Sequence, residues 1–208
     1  MDRPRTRQPS SEAPEAEKRS LVIPVECRAS GDLVTVAGYA AVYGETVYIG
    51  GYFREVIARG AFTETLKSAD VRAYFDHDPG RVLGRKSAGT LRLNEDSKGL
   101  AVEIDLPDTS DGRDVQALIK RGDISGMSFG FMVTRQEWDE TVTPPTRTIL
   151  GVELREVSIV SEPAYDGTSI ALRSLNTARG ARRRQNFNAA ALRRRLKADL
   201  DLRVRSKA

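Results

Sequence analysis

The stretch Asp76-His77-Asp78-Pro79 holds the only histidine of this 208-residue chain. An imidazole titrates near ~6.5, where no other unperturbed side chain does, so His77 is the first candidate for a general base. Two further polar groups lie on segments that read as strand. Ser128 sits within Ile124-Ser125-Gly126-Met127-Ser128-Phe129-Gly130-Phe131, and Glu156 within Leu154-Arg155-Glu156-Val157-Ser158-Ile159-Val160. A hydroxyl nucleophile needs a base within hydrogen-bond reach, and the imidazole needs a partner that fixes its tautomer and stabilises its charged form. Serine, histidine and carboxylate are the parts of that arrangement. Spacing alone does not single them out: a loop histidine, a small serine packed beside Gly130 and a solvated strand carboxylate would leave the same residues.

The elements that must hold these groups are mostly short strands. Val71 to Phe75 reads as a strand that ends at the Asp76–Gly80 turn, since Pro79 and Gly80 cannot continue a central strand. His77 is therefore expected at a strand end. By strand alternation Phe129, Phe131 and Val133 face the core, while Ser128 and Gly130 face the other way. Glu156 and Ser158 likewise share a face. Leu21–Arg28 and Leu33–Ala40 read as a hairpin across Ser30-Gly31-Asp32. Val82–Arg85, Leu91–Leu93 and Gly99–Leu106 continue an antiparallel pattern. Phe62 and Leu66 mark a short helical turn. A second helix spans Asp111 to Arg121, with Thr109 or Ser110 as its cap, Val115, Leu118 and Ile119 as its apolar stripe and Gly122 as its stop. Residues 134–148, polar and containing Pro144-Pro145, read as a long hairpin loop or mobile flap.

Composition narrows the chemistry. With Cys27 and His77 the sole residues of their types, an internal disulfide is excluded and a structural zinc site nearly so; no cofactor or metal is expected. No apolar run approaches the ~20 residues of a membrane span, and the N-terminus lacks an apolar signal core, which points to a cytosolic protein with no membrane contact. Residues 1–20, polar with Pro4, Pro9 and Pro14, read as a disordered tail. A folded domain is expected over 21–172, and a basic, Arg-rich tail over 173–208. That tail carries a net +10 against +4 for the whole chain, which leaves the folded part acidic. Phe187, Leu192, Leu196 and Leu200 give the tail the pattern of a basic amphipathic helix suited to an acidic scaffold or nucleic acid.

Five blocks occur in the order and at the spacing found in the prohead proteases of tailed phages, and the chain resembles that family over roughly residues 20 to 172. They are Arg59-Gly60-Ala61-Phe62, Asp76-His77-Asp78, Val82-Leu83-Gly84-Arg85, Gly122 to Phe131 and Leu154 to Ala164. The resemblance implies a serine endopeptidase that cleaves capsid precursor or scaffold protein, and itself, inside the procapsid in the host cytoplasm. It also implies a β-rich α+β fold like the herpesvirus assembly proteases: a closed, mostly antiparallel β-barrel flanked by helices, with self-association open. Position by position, His77 matches the family's base, Ser128 its nucleophile and Glu156 its acidic position. Asp76, Asp78 and Glu153 are rivals for the third role, and Ser125 for the nucleophile. The competing class is a non-catalytic assembly module with the same body. A common esterase elbow is disfavoured: Gly126-Met127-Ser128-Phe129-Gly130 fits the bare pattern, but here a helix precedes and a strand follows, the reverse of what the elbow needs.

Overall fold

In a computed structural model of the chain, residues 16–22, 25–30, 33–162 and 168–205 are described. They form, in order, β1 (Glu17–Leu21), β2 (Glu26–Ser30), β3 (Leu33–Val42), β4 (Thr46–Ile49), β5 (Phe53–Ile57), α1 (Thr63–Ser68), β6 (Arg72–Phe75), β7 (Asp78–Arg85), β8 (Leu91–Glu95), β9 (Gly99–Asp105), α2 (Ser110–Arg121), β10 (Gly126–Asp139), β11 (Thr146–Val160) and α3 (Thr168–Arg205). The chain divides into two compact units, residues 1–167 and 168–208.

The first unit is β-rich with few helices, as expected. One sheet runs β1-β10-β11-β5-β4, with β6 and β7 branching from β11; the other runs β2-β3-β9-β8. Most ladders are antiparallel, but β11 pairs in parallel with both β5 and β6. The closed barrel implied by the resemblance is not what the described residues form: both sheets are open. The reason lies along one edge of β11. Its first residues pair with β5 and its last with β6, while the backbone between is taken by the segment around α1. The Val152 N–H donates to Ala61 O at 3.0 Å, and the Leu154 N–H to Thr65 Oγ1 at 3.0 Å. That insertion splits the edge into two branches instead of continuing one closed ladder.

The core lies between the sheets. Phe129 and Phe131 stack at 4.7 Å, Phe62 meets Phe129 edge-on at 5.5 Å, and Val36, Leu91, Leu100, Ile104, Val157 and Ile159 close around them. Each such side chain is worth roughly 1.5–3 kcal/mol on burial. The two aromatics anchor β10 as alternation predicts, and so fix which way Ser128 turns. Helix α2 begins where Thr109 accepts the Gly112 N–H and ends at Gly122, whose left-handed φ of 84° favours glycine.

Two expectations need correction. Residues 17–20, assigned to a disordered tail, form most of β1; the uniformly polar run Glu17-Lys18-Arg19-Ser20 hid a strand that ion pairs with Glu55 and Arg147 make buriable. Residues 1–15 of that tail lie outside the described residues, as does the 31–32 turn. Residues 134–148 are mostly strand too: β10 and β11 extend to Asp139 and from Thr146, so only residues 140–145 connect them. Polar residues there alternate with half-buried ones such as Trp138, which packs edge-on against Phe53 at 4.9 Å.

The second unit contains α3, 38 residues long, beginning before the expected boundary at 173. Phe187, Leu192 and Leu196 are exposed on it. No helix of the described residues is long and apolar enough to cross a membrane.

Candidate active site

His77 sits in the tight turn between β6 and β7. Asp76 and His77 both adopt left-handed backbone, with φ of 49° and 58°, which costs on the order of 1–3 kcal/mol for such residues and persists only when the surroundings enforce it. Here Asp76 enforces it. Its N–H donates to Ile159 O at 2.9 Å, and its carboxylate accepts the Ser161 N–H at 2.7 Å and the Ser161 hydroxyl at 3.0 Å. Asp78 accepts the Gly80 N–H at 2.8 Å. Pro79 is tolerated because β7, among the described residues, pairs only with β6, and the register slips between Tyr74 and Phe75. The turn thus tethers to the end of β11 and presents the imidazole over that strand.

Glu156 meets it there. His77 Nδ1 lies 2.6 Å from Glu156 Oε1, and the Ser158 hydroxyl donates to Glu156 Oε2 at 2.6 Å. A carboxylate at Nδ1 places the ring proton on that nitrogen and leaves Nε2 for another partner. Space for the carboxylate comes from Gly130 on the next strand: a Cβ there would stand 2.4 Å from Glu156 Oε1. Both side chains are mostly covered, at 15% exposure for His77 and 12% for Glu156.

Ser128 lies on β10 directly opposite Ser158 of β11, with Ser20 of β1 on its other side; the neighbouring row is Lys18, Gly130 and Glu156. Its side chain is fully buried. The hydroxyl donates to the Arg19 carbonyl of β1 at 2.9 Å, and among the described residues no hydrogen bond joins Ser128 to His77. An open cleft of about 270 Å³ lies alongside, lined by Lys18, Ser20, Asp76, His77, Ser161 and Glu162.

The structure therefore brings His77 and Glu156 into contact and sets Ser128 on the adjoining strand beneath β1. The rivals are otherwise engaged: Asp76 holds the amide and hydroxyl of Ser161 past the end of β11, Asp78 holds the Gly80 amide of its own turn, and Glu153 pairs with Arg155 at 3.0 Å. Ser125 is exposed and lies just before β10. No group of three or more His, Cys, Asp or Glu side chains among the described residues could hold a metal ion. Chemically, a carboxylate-held imidazole beside a strand-borne hydroxyl is suited to activating that hydroxyl as a nucleophile. The part of Ser158 escaped sequence reading, although its shared face with Glu156 was the available signal. The cover that β1 gives Ser128 left no signal at all.

A family model described as Caudovirus prohead serine protease matches residues 23–182. The prohead protease of Enterobacteria phage HK97 is 32% identical over 139 residues, covering 64% of this chain and 57% of that protein, so the chain spans little more than half the length of the curated relative. Among solved structures, the bacteriophage T4 capsid assembly protease gp21 is similar in fold, with a TM-score of 0.52 at 12% identity over 73% of this chain and all of that one.

Proposed function

We propose that this chain, which belongs to the caudovirus prohead serine protease family, is a serine endopeptidase that cleaves capsid precursor or scaffold protein inside the procapsid. In this reading Ser128 is the nucleophile, His77 the general base and Glu156 the carboxylate that orients the imidazole. The observation that supports it most is the 2.6 Å contact of His77 Nδ1 with Glu156, whose other oxygen is held by Ser158.

The steps follow from the groups present. Ser128 Oγ, released from the Arg19 carbonyl, turns toward Nε2 and gives up its proton as it attacks the scissile carbonyl. Glu156 stabilises the imidazolium that forms. The imidazolium then protonates the leaving amine, and the freed ring activates the water that hydrolyses the acyl-enzyme. The 38-residue helix α3 carries the Arg182–Arg184 and Arg193–Arg195 triplets, exposed in each case. It serves in this proposal as a docking arm for an acidic scaffold or shell surface, by an attraction that salt weakens.

Co-expression with the capsid precursor tests the catalytic assignment. Ser128→Ala and His77→Ala should each lower processing at least about 10^4-fold while circular dichroism and melting stay those of a folded chain. Processing by Ser128→Ala, combined with its loss in Ser125→Ala, would reassign the nucleophile. Processing unaffected by either, with no self-cleavage seen by mass spectrometry of the purified chain, would favour the non-catalytic assembly module.

A further inference from the structure

Among the described residues, strand β1 is the edge of its sheet and is hydrogen-bonded on one side only, to β10. Its alternate residues reach opposite faces. Lys18 and Ser20 line the cleft beside His77. Glu17 and Arg19 point the other way, into a sealed cluster with Glu55 of β5 and Arg147 of β11, neighbours across the β5–β11 ladder. The four charges close a ring. Arg19 reaches Glu17 at 2.6 Å and Glu55 at 2.6 Å, and Arg147 reaches Glu17 at 2.8 Å and Glu55 at 2.9 Å. Their side chains are between 1% and 6% exposed. Arg147 also donates to Gln136 Oε1 at 2.6 Å.

The ring divides into two neutral halves: Glu17 with Arg19 on β1, and Glu55 with Arg147 on the body. If β1 leaves, no charge of the body loses its last partner. Beneath β1 the packing is incomplete, with a cavity of about 30 Å³ lined by Arg19, Ser20, Ala40, Val47, Glu55 and Phe129 among others. Meanwhile the Arg19 carbonyl occupies the Ser128 hydroxyl. A strand with one paired edge, a self-neutral charged pair and a hold on the candidate nucleophile has the attributes of a removable plug. Removing it would expose a row of unpaired N–H and C=O groups on β10, the template on which extended peptides add as strands.

We propose that the β10 edge is a peptide-receiving groove that β1 fills from within, and that its occupant in use is an extended peptide carrying an acidic residue and, two residues on, an arginine, read by Arg147 and Glu55. The proposal rests on the reading of Ser128 as nucleophile for its functional meaning, but not for its binding chemistry. While β1 is docked, the hydroxyl is bonded to a backbone carbonyl and shut off from solvent. A peptide that displaces β1 pairs with β10 antiparallel and brings its own carbonyl to Ser128.

The test uses the full chain and a fluorescein-labelled peptide of residues 16–22. Glu17→Ala/Arg19→Ala removes both charges of β1 together, and Lys18→Pro breaks the strand without touching the ring. At least one of these should release β1, read as faster amide exchange along β10 with α2 and β9 still protected. The released form should bind the peptide at least about tenfold more tightly than the parent chain, and replacing the peptide's arginine by alanine should remove at least about tenfold of that affinity. Fluorophosphonate labelling of Ser128 should rise at least about tenfold on release and fall again with excess peptide. The proposal is overturned if a form with released β1 ignores the peptide, or binds it equally with and without its arginine. It is also overturned if labelling proceeds at one rate whether β1 is docked or free. Peptide binding of the expected pattern, unchanged by Ser128→Ala but with no labelling in any form, would instead reject Ser128 as nucleophile and leave the groove standing.

Discussion

The two faces of β1 meet two polar clusters built on opposite terms. On the cleft side, one imidazole and one carboxylate share a hydrogen bond at partial exposure, beside a cleft open to solvent. On the sealed side, two guanidiniums and two carboxylates are nearly inaccessible, and each charge is matched. Burial pushes the Glu17 carboxyl up, but hydrogen bonding and charge from Arg147, then Arg19, outweigh it and hold it below its ordinary value. Glu17 is thereby kept charged near neutrality, and the guanidiniums beside it keep their protons. The sealed cluster pairs every one of its charges inside the protein, whereas the cleft leaves its pair partly open to solvent. The same sheet carries both.

Substitutions can break or sharpen that contrast. Glu156→Gln keeps the shape of the cleft and should lower turnover of the capsid precursor by about 10^4-fold, with the urea midpoint nearly unmoved. Arg147→Ala should do the reverse in kind, costing about 3–5 kcal/mol because it leaves buried carboxylates short of a partner; urea denaturation measures it. If Glu156→Gln proves the strongly destabilising change, the two clusters are not distinct in role. Ser158→Ala removes one hydrogen bond to the Glu156 carboxylate and should slow turnover about tenfold, with the pH dependence of kcat shifted, as a merely structural role would not do.

The smallest effect concerns acid. Because Glu17 is held below its ordinary value of 4.5 in the folded state, its contribution is present above that value and fades as pH falls through the lowered folded value. Amide protection of β1 should therefore be steady near neutrality and decline as the solution is made more acidic than pH 4.5. Glu17→Gln should flatten that decline. Arg19, Arg147 and Glu55 face the same carboxylate and do not reverse the sign.

Much of this was legible in the chain. Phe129 and Phe131 announced which way β10 faces, Thr109 and Gly122 bracketed α2, and the Pro79-Gly80 pair put His77 at a strand end. Glu156 was expected as the acid through the family resemblance, but the residues alone left Asp76, Asp78 and Glu153 as rivals, two of them nearer His77 in sequence. Only the turn, which spends Asp76 on Ser161, separates them. The ring was illegible for a plainer reason. Glu17, Arg19, Glu55 and Arg147 each look solvated by composition, and only the pairing of β1 with β10 and of β5 with β11 makes them mutually buriable. The open sheet was hidden similarly, since periodicity carries no sign that α1 takes the middle of an edge of β11.

The pairing of β1 with β10 also sets an order in time. Ser128 and Arg19 are 109 residues apart, whereas residues 140–145 alone close the β10–β11 hairpin. Closing the longer loop costs about 2–3 kcal/mol more in chain entropy, and the strand that closes it has a single paired edge to gain. By chain entropy, the hairpin that carries Ser128, Glu156 and Ser158 is expected to assemble first and β1 last. Pulsed amide exchange during refolding should therefore show the β10–β11 hairpin protected before β1.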